Sequence, residues 1–327
     1  MGNFKFVILG AAKIAHKFCE AAALVPGCEV AAVASKSGER AKVFAEETGV
    51  ARFYDSYEEM LRAEKPDCAY IAVTPNDHFR LTMLCLEHGV PVLCEKAMFC
   101  SGAEAREAFE KAERAGLFVM EAMWSRFLPA VRKVKEWAAQ GRIGRLELVQ
   151  TDIGFLAPEG RDNRYRNPAL GGGAARDITV YAYELTTYMV DEPILGMQVI
   201  ANRDETGVDL SDHVAIRFAH TLASLTTSFG AAMEDRMVLY GSEGRIVLPH
   251  PHFGSECFLY DAAGVLTETF RDEETKNGFT YEIAEAMRCV RAGRTESETV
   301  PHALTIDCAE LFDRIEEVKG QGETAKS

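Results

Sequence analysis

The chain has 327 residues, 47% hydrophobic and 26% charged, a length and balance suited to about two globular domains. Its 50 acidic residues against 36 basic ones leave a net charge of −14, which argues against a nucleic-acid partner, because phosphate binding wants a basic face. No apolar run approaches the ~20 residues of a membrane span, the N-terminus lacks a signal peptide's basic start and cleavage site, and nine cysteines without a C-x-x-C pair suit a reducing cytoplasm.

Residues 4 to 9, FKFVIL, read as an apolar strand, followed by the turn GAAKIA and a helical pattern through Phe18, Ala22 and Val25. A second strand, EVAAVAS, begins at Glu29. Strand, turn, helix and strand in this span make the βαβ unit that binds dinucleotides, with the helix N-terminus at Lys13 and Ile14 facing a pyrophosphate. Gly10 and Ala15 take the first and last places of G-x-G-x-x-G/A, while Ala12 replaces the middle glycine and its methyl crowds the phosphate. The turn alone fits a plain strand–helix junction equally well. At the end of the second strand stand Ser35, Lys36, Ser37 and Arg40, with no acid before Glu39. A ribose 2′-hydroxyl wants an acid there and a 2′-phosphate wants cations and hydroxyls, so NADP is favoured and NAD stays possible. The bland alternative makes Lys36 and Arg40 exposed loop and helix charges.

The alternation continues. A helix covers Glu39 to Thr48, Ser56 and Glu59 form a capping box, and CAYIAV is a strand ending in TPNDH. A helix with Leu81, Leu84, Cys85 and His88 on one face leads to the strand VPVLCEK, the helix GAEAREAFEKAERAG and a last strand, LFVMEAM. Apolar strands alternating with helices predict a doubly wound parallel sheet of Rossmann type over residues 1–122. Ligands bind beyond the carboxyl ends of such strands. Those ends carry Gly10, Ser35 and Lys36, then Thr74, Pro75, Asn76 and His78, then Glu95 and Lys96, which are the candidate cofactor contacts.

Residues 123–327 read as an α+β domain for substrate binding and oligomerisation. After Pro129 comes a helix with Val131, Val134 and Trp137 on one face, and GRIGRLELVQTDIGF is a turn and a long strand. From about residue 195 to 270 alternating stretches such as HVAIRFA and ASLTTSFGA predict a large, mostly antiparallel open sheet, with YGSEGRIVL as a hairpin. The available helices cover one face, and an apolar second face suits a partner copy, a homodimer or a dimer of dimers. Alternatively the loop LAPEGRDNRYRNPAL folds over it. HPHF, 250–253, reads as sheet residues, since two histidines without a third ligand make a poor metal site. KGQGETAKS at the end reads as a frayed tail.

In this order GAAKIA, TPNDH, LCEK, FVMEAMWSRFLP, NPALGGGAARDITVY and GFTYEIAEAMRCVRAGR resemble the glucose-fructose oxidoreductase / inositol dehydrogenase (Gfo/Idh/MocA) family over nearly the whole chain. MEAMWSRFLP looks most like the dimeric dihydrodiol dehydrogenase branch. The resemblance implies an NAD(P)-dependent dehydrogenase or reductase acting on CH–OH groups and pairing through the open sheet face. Where the family usually has Glu-Lys-Pro this chain has Glu95-Lys96-Ala97, which loosens the backbone presenting Lys96.

GGGAARDITVY then places three glycines ahead of a helix, small enough to let the backbone approach cofactor and substrate. Asp177 and Tyr181, at i and i+4, share a face of that helix. Removing a hydride from a secondary alcohol needs a base for the hydroxyl proton, and the reverse needs an acid. A tyrosine titrates near ~10, and a nearby ammonium lowers that. Tyr181 is the expected acid/base, Lys96 the ammonium that lowers its pKa and binds the substrate oxygen, and Asp177 orients Lys96 or the substrate. The family places His or Tyr at the position matching 181. Trp124 and Arg126 in WSRF, with Phe155 and Arg164, are candidate substrate contacts, although Trp124 equally suits packing at the domain junction. Arg166 reads as a further loop cation, and Arg176 stands where the family tends to be apolar. The expected substrate is a sugar, polyol or cyclic diol. An imine or hydroxy acid, or a cofactor-binding regulator without chemistry, is the alternative.

Overall fold

Parallel strands and helices alternate from Phe4 to Ala122 in a computed structural model that describes residues 2–322. The strands are β1 (Phe4–Leu9), β2 (Cys28–Ala34), β3 (Arg52–Tyr54), β4 (Cys68–Ile71), β5 (Val92–Glu95) and β6 (Val119–Ala122). Between them run α1 (Lys13–Leu24), α2 (Gly38–Thr48), α3 (Tyr57–Glu64), α4 (Pro75–Glu87) and α5 (Gly102–Ala115). The sheet order is β3-β2-β1-β4-β5-β6 with every pair parallel, so the winding reverses between β1 and β4 and opens a crevice at their carboxyl ends. Every residue of β4, β5 and β6 is buried, which is why these strands show no apolar–polar alternation and, apart from Glu95 and Glu121, are apolar. Ser37, Ser56 and Ser101 each accept the N–H three residues on and start α2, α3 and α5. The edge strand β3 was not expected from the sequence; its three residues are largely exposed and carry no apolar pattern.

The second sheet is built by β7 (Leu146–Gly154), β8 (Ile194–Arg203), β9 (Asp209–Phe218), β10 (Leu222–Ser228), β11 (Arg236–Gly241), β12 (Gly244–Pro249), β13 (Glu256–Asp261) and β14 (Leu266–Arg271). Its order is β14-β13-β12-β11-β7-β10-β9-β8, antiparallel throughout except for the parallel pair β7–β10. Two helices, α6 (Pro129–Ala139) on β12 and β13 and α7 (Val180–Met189) on β7 and β10, cover one face. Along β7 the buried Val149, Thr151 and Ile153 alternate with the half-exposed Leu148, Gln150 and Asp152. HPHF does not continue the sheet: it lies in the turn after β12, where His250 has φ 47°.

A single boundary after residue 122 does not describe the chain. One compact unit runs up to Trp124 and takes back Lys276–Ala309, and the other holds Ser125–Thr275 and the segment from Glu310 on. The returning segment carries α8 (Phe279–Arg291), packed on α1, and the start of α9 (His302–Gly322). It binds β6 directly: Val119 N–H donates to Thr295 O at 3.0 Å, and the His302 ring meets Val119 O at 2.8 Å. The tail expected to fray from residue 319 is helical through Gly322, and residues 323–327 lie outside the described residues. Among the described residues no helix is long and apolar enough to cross a membrane. Cys68, Cys85, Cys94, Cys257, Cys289 and Cys308 are buried thiols.

Candidate active site

At the end of β1, Gly10 has φ 113°, and a Cβ there would lie 2.2 Å from the Ala72 carbonyl oxygen, so no side chain fits. The chain enters α1 through Ala12, whose methyl cannot cap the helix, and no acid stands in the first turn. The N–H groups beginning at Lys13 and Ile14 therefore keep their attraction for an anion, and a dinucleotide's pyrophosphate fits this end.

At the end of β2, Ser35 is buried and its Oγ accepts from Ser37 N–H at 3.3 Å. Lys36 Nζ lies 2.6 Å from Asp77 Oδ2, and Arg80 Nε lies 3.2 Å from Asp77 Oδ1. Burial would raise the Asp77 carboxyl, but the hydrogen bonds from Lys36 and Arg80 hold it below the usual range. The cation expected to meet a 2′-phosphate thus already has a carboxylate partner, from the TPNDH stretch. Arg40 is exposed on α2.

Thr74 and Pro75 start α4, and Asn76 is exposed. His78 does not face a ligand: it is fully buried, with Nδ1 2.9 Å from Ala97 O and Nε2 3.1 Å from Val73 O. Burial pushes this imidazole down from its ordinary titration range. Its place is structural, bridging the loops after β4 and β5. Glu95 is buried too and accepts from Tyr70 Oη at 2.5 Å; burial pushes its carboxyl up, against the Tyr70 bond and the Lys96 charge. Lys96 is half-exposed, and the Lys96–Ala97 peptide is cis. Beyond it Met98 N–H donates to Glu121 Oε1 at 2.9 Å, so the backbone after Lys96 is held at Ala97 and Met98. The Trp124 ring stands 5.1 Å from Phe279 of α8.

In the second unit the glycines press against protein. A Cβ at Gly172 would lie 2.8 Å from Arg164 O and 2.9 Å from Asn167 N, and one at Gly173 (φ 121°) would lie 2.4 Å from Asp209 Oδ1. The smallness of Gly172 and Gly173 serves the 164–167 loop and β9. The following helix is also not uniform, because Ala175–Thr179 is a π turn that runs into α7. Asp177 lies in the π turn and Tyr181 in α7, so the four positions between them turn through less rotation than in a regular α-helix. Tyr181 is 8% exposed, and its ring lies 4.9 Å from that of His252 at 31°. In the sequence His252 has no role beyond that of a sheet residue; the fold sets its ring beside Tyr181. Among the described residues no group of three or more His, Cys, Asp or Glu side chains could hold a metal.

Arg164 Nη1 lies 3.4 Å from Asp177 Oδ1, with its guanidinium 4.1 Å over the Tyr165 ring. Phe155, Tyr165 and Phe229 form an aromatic triad with centroids 5.2 to 5.6 Å apart. Arg166 pairs with Asp204 at 3.1 Å, and Arg176 with Glu316 at 3.6 Å. Arg126, expected at a substrate, is instead fully buried, with Nη2 2.6 Å from Oε2 of the equally buried Glu184. A second Arg126 bond goes to the Glu184 carbonyl, Nε at 3.1 Å.

Residues 4–123 match the model of an oxidoreductase family with an NAD-binding Rossmann fold, and residues 131–247 match the GFO/IDH/MocA C-terminal domain. The chain is similar to the trans-1,2-dihydrobenzene-1,2-diol dehydrogenases of Danio rerio, 31% identical over 96% of this chain and 95% of that one, and of Homo sapiens, 29% identical over 89% of each. Among solved structures it shares its fold with an aldose-aldose oxidoreductase from Caulobacter crescentus in complex with glycerol (20% identity, 98% of each chain, TM-score 0.87). A 3-ketoreductase from Actinomadura kijaniata with NADP is also similar (22% identity, 97% of this chain and 98% of that one, TM-score 0.83).

Proposed function

The chain belongs to the GFO/IDH/MocA family of oxidoreductases with an NAD-binding Rossmann fold, and from that premise we propose that it moves a hydride between NADP and a secondary hydroxyl or ketone of a cyclic diol, polyol or sugar. The observation that carries this reading is the full-length similarity to diol dehydrogenases, joined to a largely buried tyrosine, Tyr181, two residues past a π turn that carries a carboxylate.

The cofactor would be held by the Gly10–Ile14 turn at its pyrophosphate and by Ser35, Lys36 and Arg40 at a 2′-phosphate, with Thr74, Pro75 and Asn76 along the crevice. It supplies the hydride acceptor in oxidation and the donor in reduction. In oxidation Tyr181 Oη takes the proton of the substrate hydroxyl while the carbinol hydrogen leaves with its electron pair; in reduction the same oxygen returns the proton. Lys96 binds the substrate oxygen and favours the tyrosinate, and Asp177 orients it or the substrate. The Phe155–Tyr165–Phe229 triad suits the apolar face of a ring. The chain would pair as a homodimer, or a dimer of dimers, through the uncovered sheet face, where Ile200 and Leu222 are exposed.

The test is turnover. Purified protein is given NADP or NADPH with a panel of cyclic diols, polyols, sugars and their ketones, and absorbance of the reduced nicotinamide is followed. Oxidation of at least one diol or sugar supports the reading; turnover of an imine or hydroxy acid alone, or none at all, overturns it.

A further inference from the structure

Two acids on β9 are left out of the chemistry above. Asp209 and Asp212 are three residues apart, a spacing that puts them on opposite faces of a regular strand. A bulge corrects this: Arg203 pairs with Asp209 and Asn202 with Ser211, so Leu210 is an extra residue and both carboxyls turn inward. Both are buried, 1% and 2% exposed.

Each carboxyl reaches one end of the π turn. Asp209 Oδ2 accepts the Ala175 N–H at 2.6 Å, and Asp212 Oδ2 accepts from Thr179 Oγ1 at 2.8 Å. Thr179 Oγ1 in turn lies 2.6 Å from Thr227 Oγ1 of β10. The other two oxygens, Asp209 Oδ1 and Asp212 Oδ1, have no partner in the protein, and the bulge turns both carboxyls to the buried side on which the π turn lies. Two buried ionised carboxylates on one side of a strand repel, whereas one proton between them gives both orphan oxygens a partner. Burial, and then the Asp209 charge, pushes the Asp212 carboxyl far up; Arg203 is the cation that pulls the other way. With the proton on Asp212 every oxygen has a partner: Asp212 donates to Asp209, Asp209 accepts from Ala175, and Thr179 donates to Asp212.

We propose that Asp209 and Asp212 share one proton and act as positioning residues that clamp both ends of the π turn, fixing where Asp177 and Tyr181 stand. The functional half of this statement rests on the roles given to those two residues above. A π turn has weaker internal geometry than an α turn, so it persists where its surroundings hold it. Here the holding groups are a carboxylate at Ala175 and a neutral acid at Thr179.

The experiment compares the full-length protein with Asp212→Asn, which copies the shape and donor of a neutral acid, and with Asp212→Ala, which removes them. At neutral pH the wild type should show a protonated-carboxyl C=O band in the infrared that Asp212→Asn lacks; a wild type without that band overturns the shared proton. Amide exchange at Ala175, whose N–H is accepted by Asp209 Oδ2, should be unchanged in Asp212→Asn and about ten- to a hundredfold faster in a further variant, Asp209→Ala, the scale of a lost hydrogen bond to a charged group. Exchange in Asp209→Ala equal to that of the wild type overturns the clamp. Both measurements are made without cofactor or substrate, so an error in the role of Tyr181 does not touch them. In turnover, Asp212→Ala should lower kcat at least about tenfold with KM little changed, and Asp212→Asn should restore it; equal kcat in the two variants overturns the positioning role.

Discussion

Lys36 Nζ and Asp77 Oδ2 are 2.6 Å apart, so the end of β2 is tied to the first turn of α4 by a single ion pair. Lys36 is 61% exposed, and pairs of that kind contribute only about 0–1 kcal/mol, so a phosphate dianion displaces the carboxylate readily. NADP should bind at least about tenfold more tightly than NAD, a gap of roughly 1.4 kcal/mol. Lys36→Glu should erase or reverse that preference. Asp77→Asn should strengthen NADP binding and leave NAD nearly unchanged, since only the phosphate gains a released cation. Fluorescence titration is the check, and equal affinities in the wild type would sink the assignment.

Tyr181→Phe and Lys96→Met should each lower kcat by about 10²–10⁴, the range for a positioned acid or base. The tyrosine variant should bind cofactor as the wild type does, because only its hydroxyl is lost. Near-normal turnover in Tyr181→Phe would transfer the proton exchange to Lys96.

The buried pair Arg126–Glu184 makes a prediction about stability. Removing either partner leaves a charge with no water and costs about 3–5 kcal/mol, whereas replacing both with apolar residues of similar size is close to neutral. In urea unfolding, Arg126→Met alone should show the large loss, and Arg126→Met with Glu184→Leu should recover most of it. If the single variant unfolds like the wild type, Arg126 is not a structural residue, and a place at the substrate returns to consideration.

Assembly is tested by mass. With α6 and α7 on one side of the second sheet, the half-exposed rows of β7 and the exposed Ile200 and Leu222 on β8 and β10 are expected to be covered by a second copy. Light scattering at micromolar concentration should give a multiple of the 36.1 kDa chain mass. A value near one chain would mean that this face stays in water.

The alternation of apolar strands and helices made the Rossmann sheet legible, because strands buried on both faces are almost wholly apolar, with only Glu95 and Glu121 interrupting β5 and β6. Open-sheet strands such as β9 were legible from alternation for the complementary reason. What escaped was set by contacts distant in sequence. Arg126 reads as a loop cation until Glu184, 58 residues on, is folded against it. His252 reads as a sheet residue until the Tyr181 ring lies beside it. The extra residue at Leu210 and the π turn at Ala175–Thr179 each insert one position into a regular period, and periodicity cannot register its own interruption. Gly172 and Gly173 are plain in the sequence, but the groups that crowd them, the Asn167 backbone and the Asp209 carboxyl, lie elsewhere in the chain.

The return of Lys276–Ala309 to the first unit also governs the order in which the protein is finished during synthesis. A ribosome releases β1 to β6 early, yet the amide of Val119 awaits Thr295, its carbonyl awaits His302, and Glu121 awaits the hydroxyl of Thr305. Domains that are continuous in sequence can close while the rest is still being translated. This one must hold β6 incompletely bonded until the second unit has been made. A truncation after Trp124 would therefore yield a nucleotide fold with a bare strand edge, which is the kind of surface that aggregates.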